Sequence, residues 1–588
     1  MGAQIRDLEA IKDIIRRLAL LNAISYGGKA QSKPVMGKLL GERPDLRAFA
    51  KEIASLVDKV VQEVNSMSLE EQMNTLKTLW PEALAMTKEK GKVEGERALP
   101  PLPNVEKYGR VVTRFAPNPD CVLHLGSARA IILSHEYARM YNGRFILRFE
   151  DTDPRLKKSS LQFMDLIRED MEWLGCVPDE EYIQSDRIEI YYEYAERLIK
   201  DGYAYICTCK PEESRAKIMF GEPCPCRELP PEENLRRWEA MLSGLYAEGE
   251  AVMRIKTDLK HPNPAIRDWP AFRVIDTKKY PHPRVGSKYR VWPLYNFACG
   301  IDDHLMGITH IIRGKEHLTN QERQKYLYRY LGWEYPEAIH YGRLKIEGAS
   351  LSKSKIVRGV REGLYTGWDD PRLATFLALK RRGIRPEAIR RLILDIGPRP
   401  ADITLSWDNL YAHNRKIVDP IADRFFFIWD PVKLIVDGVE RPITVNIPLH
   451  PDHPERGKRT FNIRPVNGVA TLLISGRDAE RLQPGTIVRL MELFNITVRG
   501  VYGDSVRASF HSEPYIEAKK VGAQLIHWLP EGECLECNVI MPDNSIINGL
   551  VEKSIRMAHP DKIVQFERFG FARIDSLGEK IVAYFAHK

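Results

Sequence analysis

The sequence predicts a multidomain α/β protein with a nucleotide-binding parallel sheet in its central region. Its 588 residues are too many for one hydrophobic core. A strand–helix–strand pattern over residues 111–149 is typical of a parallel βαβ unit. From about residue 419, short strand-like segments separated by turns replace the helices, as in barrels or sandwiches. We therefore expect a helical N-terminal module, an α/β core with an insertion, and C-terminal β-barrels.

The composition excludes several classes of protein. A chain with 44% hydrophobic and 29% charged residues resembles a soluble globular protein, and no apolar run approaches the roughly 18 residues of a membrane span. Charged residues such as Arg6 and Asp7 interrupt any signal-peptide core, so we expect a cytoplasmic protein without a membrane partner. The net charge of +8 permits a polyanion partner but does not require one. Nine cysteines are too few for a disulfide scaffold.

Residues 1 to about 85 are predicted to form a small helical module. Apolar residues at helical spacing indicate the first helix: Leu8, Ile11, Ile15 and Leu18. A second helix is expected over 44–66, and a capping box formed by Ser68 and Glu71 starts a third. Residues 88–104 are charged and then proline-rich, which indicates an interdomain linker. The module is expected to pack or dock rather than catalyse, and its partner is unidentified.

The βαβ unit carries the first candidate binding loop. A strand over Val111–Phe115 is followed by a helix over Ala128–Tyr141 and a second strand over Arg144–Phe149. Ligands bind at the carboxyl ends of such strands, and a helix start offers free N–H groups to a phosphate. In the connecting loop, His124 can donate a hydrogen bond to a phosphate oxygen, and Gly126 lets a flat ligand approach the backbone.

Two motifs in this region resemble a known family. His124-Leu125-Gly126-Ser127, preceded by RFAPNPD, resembles the HIGH signature of class I aminoacyl-tRNA synthetases. FEDTDP, over Phe149–Pro154, resembles the glutamyl branch of that class. Ser127 stands where the family has a second histidine, so the phosphate contact of that histidine must be arranged differently.

A partner motif lies downstream. SLSKS, over Ser350–Ser354, resembles the KMSKS loop of the class, with a serine in place of the first lysine. Adenylate formation builds negative charge on the α-phosphate and pyrophosphate, and a mobile ammonium such as that of Lys353 can neutralise it. The hydroxyl groups of Ser352 and Ser354 can hold phosphate oxygens or shape the loop.

The second half of the core is expected over residues 293–345. A buried strand over Ile308–Arg313 ends at the loop 314–317, and a helix over Gln321–Leu331 follows. This segment resembles the glutamyl and glutaminyl synthetases. In the glutamyl enzymes an arginine at the position of Arg313 binds the side-chain carboxylate of the substrate, a contact suited to a planar guanidinium. An ordinary surface ion pair is the alternative for Arg313.

The resemblance implies two sets of binding residues. Glutamate is expected at Arg114 near its carboxylates, Glu150 at its α-ammonium, Tyr295 lining the pocket, and Arg313. His124 and Lys353 are the expected catalytic residues, and Mg²⁺ accompanies ATP. The residues expected to bind ATP are Pro117, Asn118, Pro119, His124, Gly126, Ser127, Ser352, Lys353 and Ser354.

Four cysteines lie within 20 residues of sequence. They form two C-x-C pairs, Cys207 with Cys209 and Cys224 with Cys226. Two such pairs can supply four thiolates to a tetrahedral structural zinc, although four reduced, unliganded cysteines are the alternative. The segment resembles a zinc-bearing insertion of some glutamyl-tRNA synthetases that contacts the acceptor end of tRNA.

The remaining C-terminal part is predicted to bind RNA. A basic helical region holds Lys380, Arg381 and Arg382, which we expect to contact backbone phosphates. The β-rich end resembles the twin barrels that archaeal-type glutamyl enzymes share with the glutaminyl enzymes. Two such barrels can hold unstacked anticodon bases against aromatic side chains.

The resemblance, from about Tyr108 onwards, implies an archaeal-type glutamyl-tRNA synthetase with a Rossmann-type core. It would ligate L-glutamate to tRNA(Glu) through a glutamyl-adenylate, as a monomer; charging of tRNA(Gln) with glutamate is left open. The alternatives are a glutaminyl-tRNA synthetase, a non-catalytic tRNA-binding protein with the same fold, and a small-metabolite nucleotidyltransferase. The predicted domains are 1–100 (helical module and linker), 101–204 (first core half), 205–292 (acceptor-end insertion), 293–345 (second core half), 346–418 (KMSKS-like loop and helical subdomain) and 419–588 (two anticodon-binding barrels).

Overall fold

The computed structural model describes residues 8–25, 28–80, 99–349 and 351–588. The chain divides into two compact units, Met1–Ala98 and Leu99–Lys588. Most of the predicted 88–104 linker lies outside the described residues, as does Ser350 of the SLSKS motif. None of the helices among the described residues is both long and apolar enough to cross a membrane.

The first unit is helical around a core that includes Ile15, Val57 and Val60. Ser68 and Glu71 form the predicted capping box. The single helix expected over 44–66 is wrong at its start: Pro44–Phe49 is a tighter 3₁₀ turn, and the α-helix begins at Ala50. The helix at 32–42 was not predicted. The helices are α1 (Leu8–Ser25), α2 (Ser32–Glu42), α3 (Ala50–Asn65) and α4 (Leu69–Leu79).

The second unit begins with alternating strands and helices. Apolar side chains bury both faces of its first two strands, as expected for a parallel sheet covered by helices. The elements are β1 (Val112–Phe115), α5 (Leu125–Met140), β2 (Arg144–Phe149), α6 (Leu161–Trp173), β3 (Glu180–Ile183) and α7 (Ile188–Lys200). The observed β2 has the predicted bounds, whereas α5 begins three residues earlier than predicted and so includes Gly126 in its first turn.

An insertion follows that is built on a four-stranded antiparallel sheet in the order β4-β5-β6-β7. Its apolar core, with Trp238, Trp269 and Phe272, is continuous with the helices on either side of it in sequence. The elements are β4 (Ala204–Cys207), α8 (Pro211–Phe220), α9 (Pro231–Ser243), β5 (Val252–Ile255), β6 (Pro270–Val274) and β7 (Val291–Pro293).

The second half of the core returns to the parallel sheet. Its elements are α10 (Tyr295–Leu305), β8 (His310–Gly314), α11 (Leu318–Leu331), β9 (Glu337–Tyr341) and β10 (Leu344–Ile346). The Thr309 N–H donates to the Val112 carbonyl at 3.0 Å, so β8 lies beside β1. With the parallel pairs β1–β2, β2–β3 and β8–β9, the strand order is β3-β2-β1-β8-β9. The carboxyl ends of β1 and β8 are therefore neighbours at the point where the strand order reverses, the usual ligand crevice of this fold.

A mostly helical region follows the core. The parallel pair β10–β11 attaches it to the preceding segment. Its elements are α12 (Lys353–Arg361), α13 (Phe376–Arg381), α14 (Pro386–Ile396), β11 (Ile403–Leu405) and α15 (Trp407–Val418).

The C-terminal part forms two seven-stranded, barrel-like sheets. The first has the order β21-β18-β19-β20-β14-β17-β22, and the second β12-β25-β26-β27-β23-β24-β13. The first is therefore inserted into the second, between β13 and β23. The elements are β12 (Asp423–Phe425), β13 (Phe427–Trp429), β14 (Pro431–Asp437), β15 (Ile443–Pro448), β16 (Lys458–Ile463), β17 (Val469–Ser475), α16 (Gly476–Ala479), β18 (Ile487–Leu490), β19 (Asn495–Tyr502), β20 (Ser505–Ser512), α17 (Tyr515–Lys520), β21 (Gln524–Ile526), β22 (Leu529–Pro530), β23 (Cys534–Ile540), β24 (Ile546–Glu552), β25 (Ile563–Phe566), β26 (Gly570–Leu577) and β27 (Ile581–His587).

Candidate active site

The HLGS segment forms the start of α5. His124 is the N-cap residue, and its Nδ1 accepts a hydrogen bond from the Gly126 N–H at 3.0 Å. Because Nδ1 acts as the acceptor, the ring proton lies on Nε2, which is left as a donor. Burial lowers the pKa of His124, so the ring is neutral at pH 7. A methyl group on Gly126 would lie 2.8 Å from Cε1 of His124, so the glycine makes room for the imidazole itself.

Lys353 brings the SLSKS segment to the loop before α5. Its Nζ donates to the Asn118 carbonyl at 3.3 Å and pairs with the Asp120 carboxylate. Burial lowers the pKa of Lys353 to about 8, whereas the nearby carboxylate favours the charged form. The Oγ atoms of Ser352 and Ser354 lie 3.2 Å apart at the start of α12. The two predicted phosphate-binding segments thus lie against each other.

The remaining residues predicted to bind ATP lie on the same loop. The carbonyls of Pro117 and Pro119 accept hydrogen bonds from the N–H groups of Glu150 and Ser160, both at 2.9 Å, which hold the loop against the end of β2. Ser127 is half-buried in the first turn of α5.

A cavity of about 510 Å³ lies beside the carboxyl ends of β1, β2 and β8. Two of the residues predicted to bind glutamate, Glu150 and Tyr295, line it together with Asn118 and His317. The other two, Arg114 and Arg313, lie outside the cavity lining, and each is only 5% exposed. The four residues therefore do not form one continuous lining.

Arg313 is a buried cation with neutral partners. Its guanidinium donates to Gln324 Oε1 at 3.2 Å, to the Tyr335 hydroxyl at 2.9 Å and to His340 Nε2 at 3.4 Å. Among the described residues, no carboxylate forms an ion pair with it, which excludes the alternative of a surface ion pair. A buried charge without a counter-ion is costly, so this position favours an anionic ligand.

His317 lines the cavity and lies within the electrostatic influence of Arg313. Burial, with the charges of Arg313 and Arg114, lowers the pKa of His317 to about 4. The ring is therefore neutral at pH 7, and its Nδ1 lies 3.3 Å from the Tyr295 hydroxyl. An anion at this wall would meet the neutral side chains of His317 and Tyr295, while Lys157 and Arg323 supply positive charge elsewhere in the cavity lining.

Sequence reasoning missed a buried ion-pair network beneath Glu150. Arg148, which is fully buried, donates to Glu150 Oε1 at 3.0 Å and to Asp303 Oδ1 at 2.8 Å. Asp303 also accepts from Arg114 Nε at 3.2 Å. The available signal was the Asp302-Asp303 pair within the otherwise apolar helix that starts at Tyr295.

Comparison with known proteins gives the family. The family described as tRNA synthetases class I (E and Q), catalytic domain, matches residues 110–420. The anti-codon binding domains of the same group match residues 422–512 and 525–575. The chain belongs to the class I tRNA synthetases of the E and Q group. The predicted family and fold class are thereby confirmed.

Archaeal relatives match this synthetase from end to end. A glutamate–tRNA ligase of Pyrococcus furiosus is 54% identical and covers 98% of this chain and all of its own. A glutamate–tRNA ligase of Methanopyrus kandleri is 48% identical over 98% of this chain and 99% of its own. A solved glutamate tRNA ligase from Elizabethkingia meningosepticum, in complex with its amino acid, is 23% identical and aligns with a TM-score of 0.39, covering 53% of this chain and 70% of that one.

The four cysteines of the synthetase insertion lie together. The Sγ atoms of Cys207, Cys209, Cys224 and Cys226 are all within 4.8 Å of one another, and those of the pairs 207–224 and 209–226 are 3.8 Å apart. Thiolates bound to one zinc at about 2.3 Å lie about 3.8 Å apart in a tetrahedron. Arg237 donates to Cys226 Sγ at 3.4 Å, which favours a thiolate there. The donor set and its spacing fit a zinc ion.

The prediction that the basic helical region of the synthetase meets phosphates is wrong for Arg382. This residue is 1% exposed, stacks against Trp407 and Tyr411, and donates to the Ala586 carbonyl. Lys380 pairs with the buried Asp170 at 2.7 Å. Lys380 and Arg382 are close in sequence but contact different parts of the protein, because successive residues of a helix point in different directions.

Proposed function

We propose that this synthetase activates L-glutamate with ATP and transfers the glutamyl group to the terminal ribose of tRNA(Glu). One observation carries the amino-acid assignment: the buried Arg313 guanidinium has no carboxylate partner among the described residues and acts on the wall of the cavity that Glu150 lines. A glutamate side chain would supply the missing anion, whereas the neutral amide of glutamine would not. The archaeal relatives, which are glutamate–tRNA ligases, support the same substrate.

The chemistry requires positioning and charge rather than a protein nucleophile. The α-carboxylate of glutamate attacks the α-phosphate of ATP, and pyrophosphate leaves. Nε2–H of His124 would donate to a phosphate oxygen at the start of α5, where the N–H groups of Leu125, Gly126 and Ser127 already have partners within the protein. The Lys353 ammonium would meet the charge that develops on the phosphates. The predicted ATP-binding set lies around these two residues, and Mg²⁺ would accompany ATP as its counter-ion.

Glutamate would be held at both of its charged ends. Glu150 would accept from the α-ammonium, because it is a carboxylate on the cavity wall, and Tyr295 would pack beside it. The positive charges of Arg114 and Arg313, which lie behind the cavity wall, would attract the two carboxylates of glutamate. Burial raises the pKa of Glu150 while Arg148 and Arg114 oppose that rise, so a nearby ammonium would further favour its ionised form.

The cysteine cluster would hold a structural zinc ion. Cys207, Cys209, Cys224 and Cys226 would be its four ligands, and the metal would join β4 to the turn at 224–226. Purified protein should contain about one zinc per chain by mass spectrometry of the metal, and Cys224→Ser should lower this content. The assignment would be contradicted if the purified protein contained no zinc and if a chelator left hydrogen exchange in the insertion unchanged.

The tRNA would be read by the two C-terminal barrels. The match of anti-codon binding domains to residues 422–512 and 525–575 supports this role. We propose the domain division given above, with 205–292 as the acceptor-end insertion and 419–588 as the anticodon-binding barrels. A cytoplasmic location, a monomeric state and an unidentified partner of the N-terminal helices remain predictions.

Pyrophosphate exchange tests the amino-acid assignment. The enzyme is incubated with ATP, labelled pyrophosphate and either glutamate or glutamine, and then charges transcripts of tRNA(Glu) and tRNA(Gln) side by side. We expect exchange with glutamate at least about 100-fold faster than with glutamine, because a pocket cation left unpaired costs several kcal/mol. A preference for glutamine would overturn the proposal. The tRNA(Gln) reaction shows whether the barrels also admit that tRNA.

A further inference from the structure

One face of α10 supplies three side chains to the base of the candidate site. Tyr295, Cys299 and Asp303 are spaced by four residues and therefore lie on the same side of the helix. Tyr295 lines the cavity, and Asp303 lies behind it at 1% exposure. Cys299 lies between them, and its Sγ is 3.5 Å from Asp303 Oδ2.

Asp303 is the shared acceptor of two arginines from neighbouring strands. Its Oδ1 accepts from Arg114 Nε of β1 at 3.2 Å and from Arg148 Nη1 of β2 at 2.8 Å. Its Oδ2 lies 3.4 Å from Arg114 Nη2. Although burial opposes ionisation, Arg114 and Arg148 hold the pKa of Asp303 below its ordinary value, so it is a carboxylate at neutral pH.

Arg148 extends the network to Glu150. Its Nη2 donates to Glu150 Oε1 at 3.0 Å and lies 3.3 Å from Cys299 Sγ. Arg148 is completely buried, so it cannot reach a ligand itself. It nevertheless fixes the carboxylate that lines the cavity.

Resting on the proposed function, we infer that Asp303 and Arg148 are positioning residues for glutamate. One buried carboxylate orients Arg114 directly and Glu150 through Arg148. Arg114, expected near the carboxylates of glutamate, and Glu150, expected at its ammonium, are therefore oriented by one group that no substrate atom touches. Such indirect support is how binding residues are held within a fraction of an ångström of their working geometry.

The charges of the network also match the amino acid. Asp303 pairs with Arg114 and Arg148, and Arg148 also pairs with Glu150, whereas Arg313 has no carboxylate partner among the described residues. The side-chain carboxylate of glutamate would supply that partner, whereas the amide of glutamine would not. Loss of the Asp303 charge would release both Arg114 and Arg148 from their shared partner.

The test compares two neighbouring acids of α10 in the full-length enzyme. Asp303→Asn keeps the shape but removes the charge. We expect the KM for glutamate in pyrophosphate exchange to rise about 10- to 100-fold, while the KM for ATP stays within about twofold. The comparison variant is Asp302→Asn: Asp302 is equally buried, but it accepts from Arg187, Tyr191 and Gln184, lies 4.0 Å from Arg148 Nε and does not contact Arg114. It should raise the KM for glutamate by a smaller factor than Asp303→Asn does.

A second variant tests the inference in case Asp303→Asn does not fold. Arg148→Lys keeps one charge but cannot hold both carboxylates, so it should raise the KM for glutamate by a smaller factor than Asp303→Asn. Equal effects of Asp302→Asn and Asp303→Asn on that KM would overturn the inference, as would a wild-type KM in both Asp303→Asn and Arg148→Lys. If the wild-type enzyme exchanges pyrophosphate with glutamine instead of glutamate, the proposed function has failed; if it prefers glutamate and the variants match it, only this inference has failed.

Discussion

At the scale of single residues, His124 and Gly126 show how a short motif acquires a defined geometry. The imidazole folds back onto the first turn of α5, where only a hydrogen atom fits beneath it. The sequence motif identified both residues, and the fit of the imidazole gives the glycine a second reason beside the close approach of a ligand, which stays a prediction. The structure adds that the glycine also fixes which ring nitrogen faces outward.

Gly126→Ala tests this arrangement. The added methyl would lie 2.8 Å from Cε1 of the His124 ring and displace it, so pyrophosphate exchange should fall about 100-fold, as for loss of one oriented donor. Stability should not fall, because alanine favours a helix over glycine by about 1 kcal/mol. Gly109→Ala, with open space around its Cβ, is the control and should retain full activity. Full activity of Gly126→Ala as well would contradict the role of the histidine.

Lys353 gives a prediction of pH dependence. The ammonium is the active form, and burial lowers the pKa of Lys353 to about 8, so the charge is present below pH 8 and lost above it. The exchange rate should therefore decline as pH rises through about 8. Lys353→Arg should be slower at pH 7 but should lack this decline, because a guanidinium stays charged. A decline of the same shape in the variant would assign it to another group.

The buried acid network marks the limit of sequence reasoning at this scale. Arg114 and Glu150 were predicted from motifs, whereas Asp303 was not. Its partners Arg114 and Arg148 lie 189 and 155 positions away in the chain, and such pairings depend on the strand order β2-β1-β8. Without that order, an acidic pair in an apolar helix has no identifiable partner.

At the scale of elements, strong periodicity predicted the type of an element better than its ends. β2 was predicted to the residue, because a run of apolar residues extends along it. The start of α3 was misplaced, since residues 44–49 share the helical apolar spacing but form a 3₁₀ turn. Local hydrogen bonding, which periodicity does not encode, determines such boundaries.

The capping box of α4 gives a test at this scale. The Ser68 side chain accepts from the Glu71 N–H, and Glu71 accepts from the Ser68 N–H in return. Ser68→Ala should destabilise α4 by about 1 kcal/mol and speed hydrogen exchange of its amides several-fold. Thr78→Ala, near the other end of the same helix, should have a smaller effect. If the α4 amides were equally protected from hydrogen exchange in both variants, packing alone would stabilise α4. Pyrophosphate exchange should be normal in each variant.

At the scale of the whole molecule, buried ion pairs join the two C-terminal barrels. Arg459 of β16 is 1% exposed and donates to Glu552 of β24 at 2.7 Å, and Arg568 donates to the buried Asp478 through both of its terminal nitrogens, Nη1 and Nη2. The arrangement of short strands predicted the barrels. It did not predict which barrel contains which strands, because nothing in a strand pattern shows that one sheet is inserted into another.

Glu552→Gln should impair the charging of tRNA without impairing amino-acid activation. Arg459 keeps Glu567 as a second partner but loses the fully buried one, so the barrels should unfold at lower denaturant concentration. Charging of tRNA(Glu) should fall, while pyrophosphate exchange without tRNA should be unaffected. The double variant Arg459→Met/Glu552→Leu removes both members of this pair but leaves Glu567 without Arg459, so it should recover only part of the stability. A loss of exchange equal to the loss of charging would show that the barrels also support the core.

The nesting of the barrels has a consequence for how RNA recognition can change. β13 and β23 lie on either side of β24 and both pair antiparallel with it, so the chain leaves and re-enters the outer sheet two strand spacings apart, about 10 Å, and at opposite ends of these strands. A linker that replaced residues 430–533 would have to cross β24 and run back along it, and it would leave the buried Glu552 without Arg459. Evolution or an engineer could therefore exchange the inner barrel for another reader of single-stranded RNA only with a replacement that also supplies a cation to Glu552.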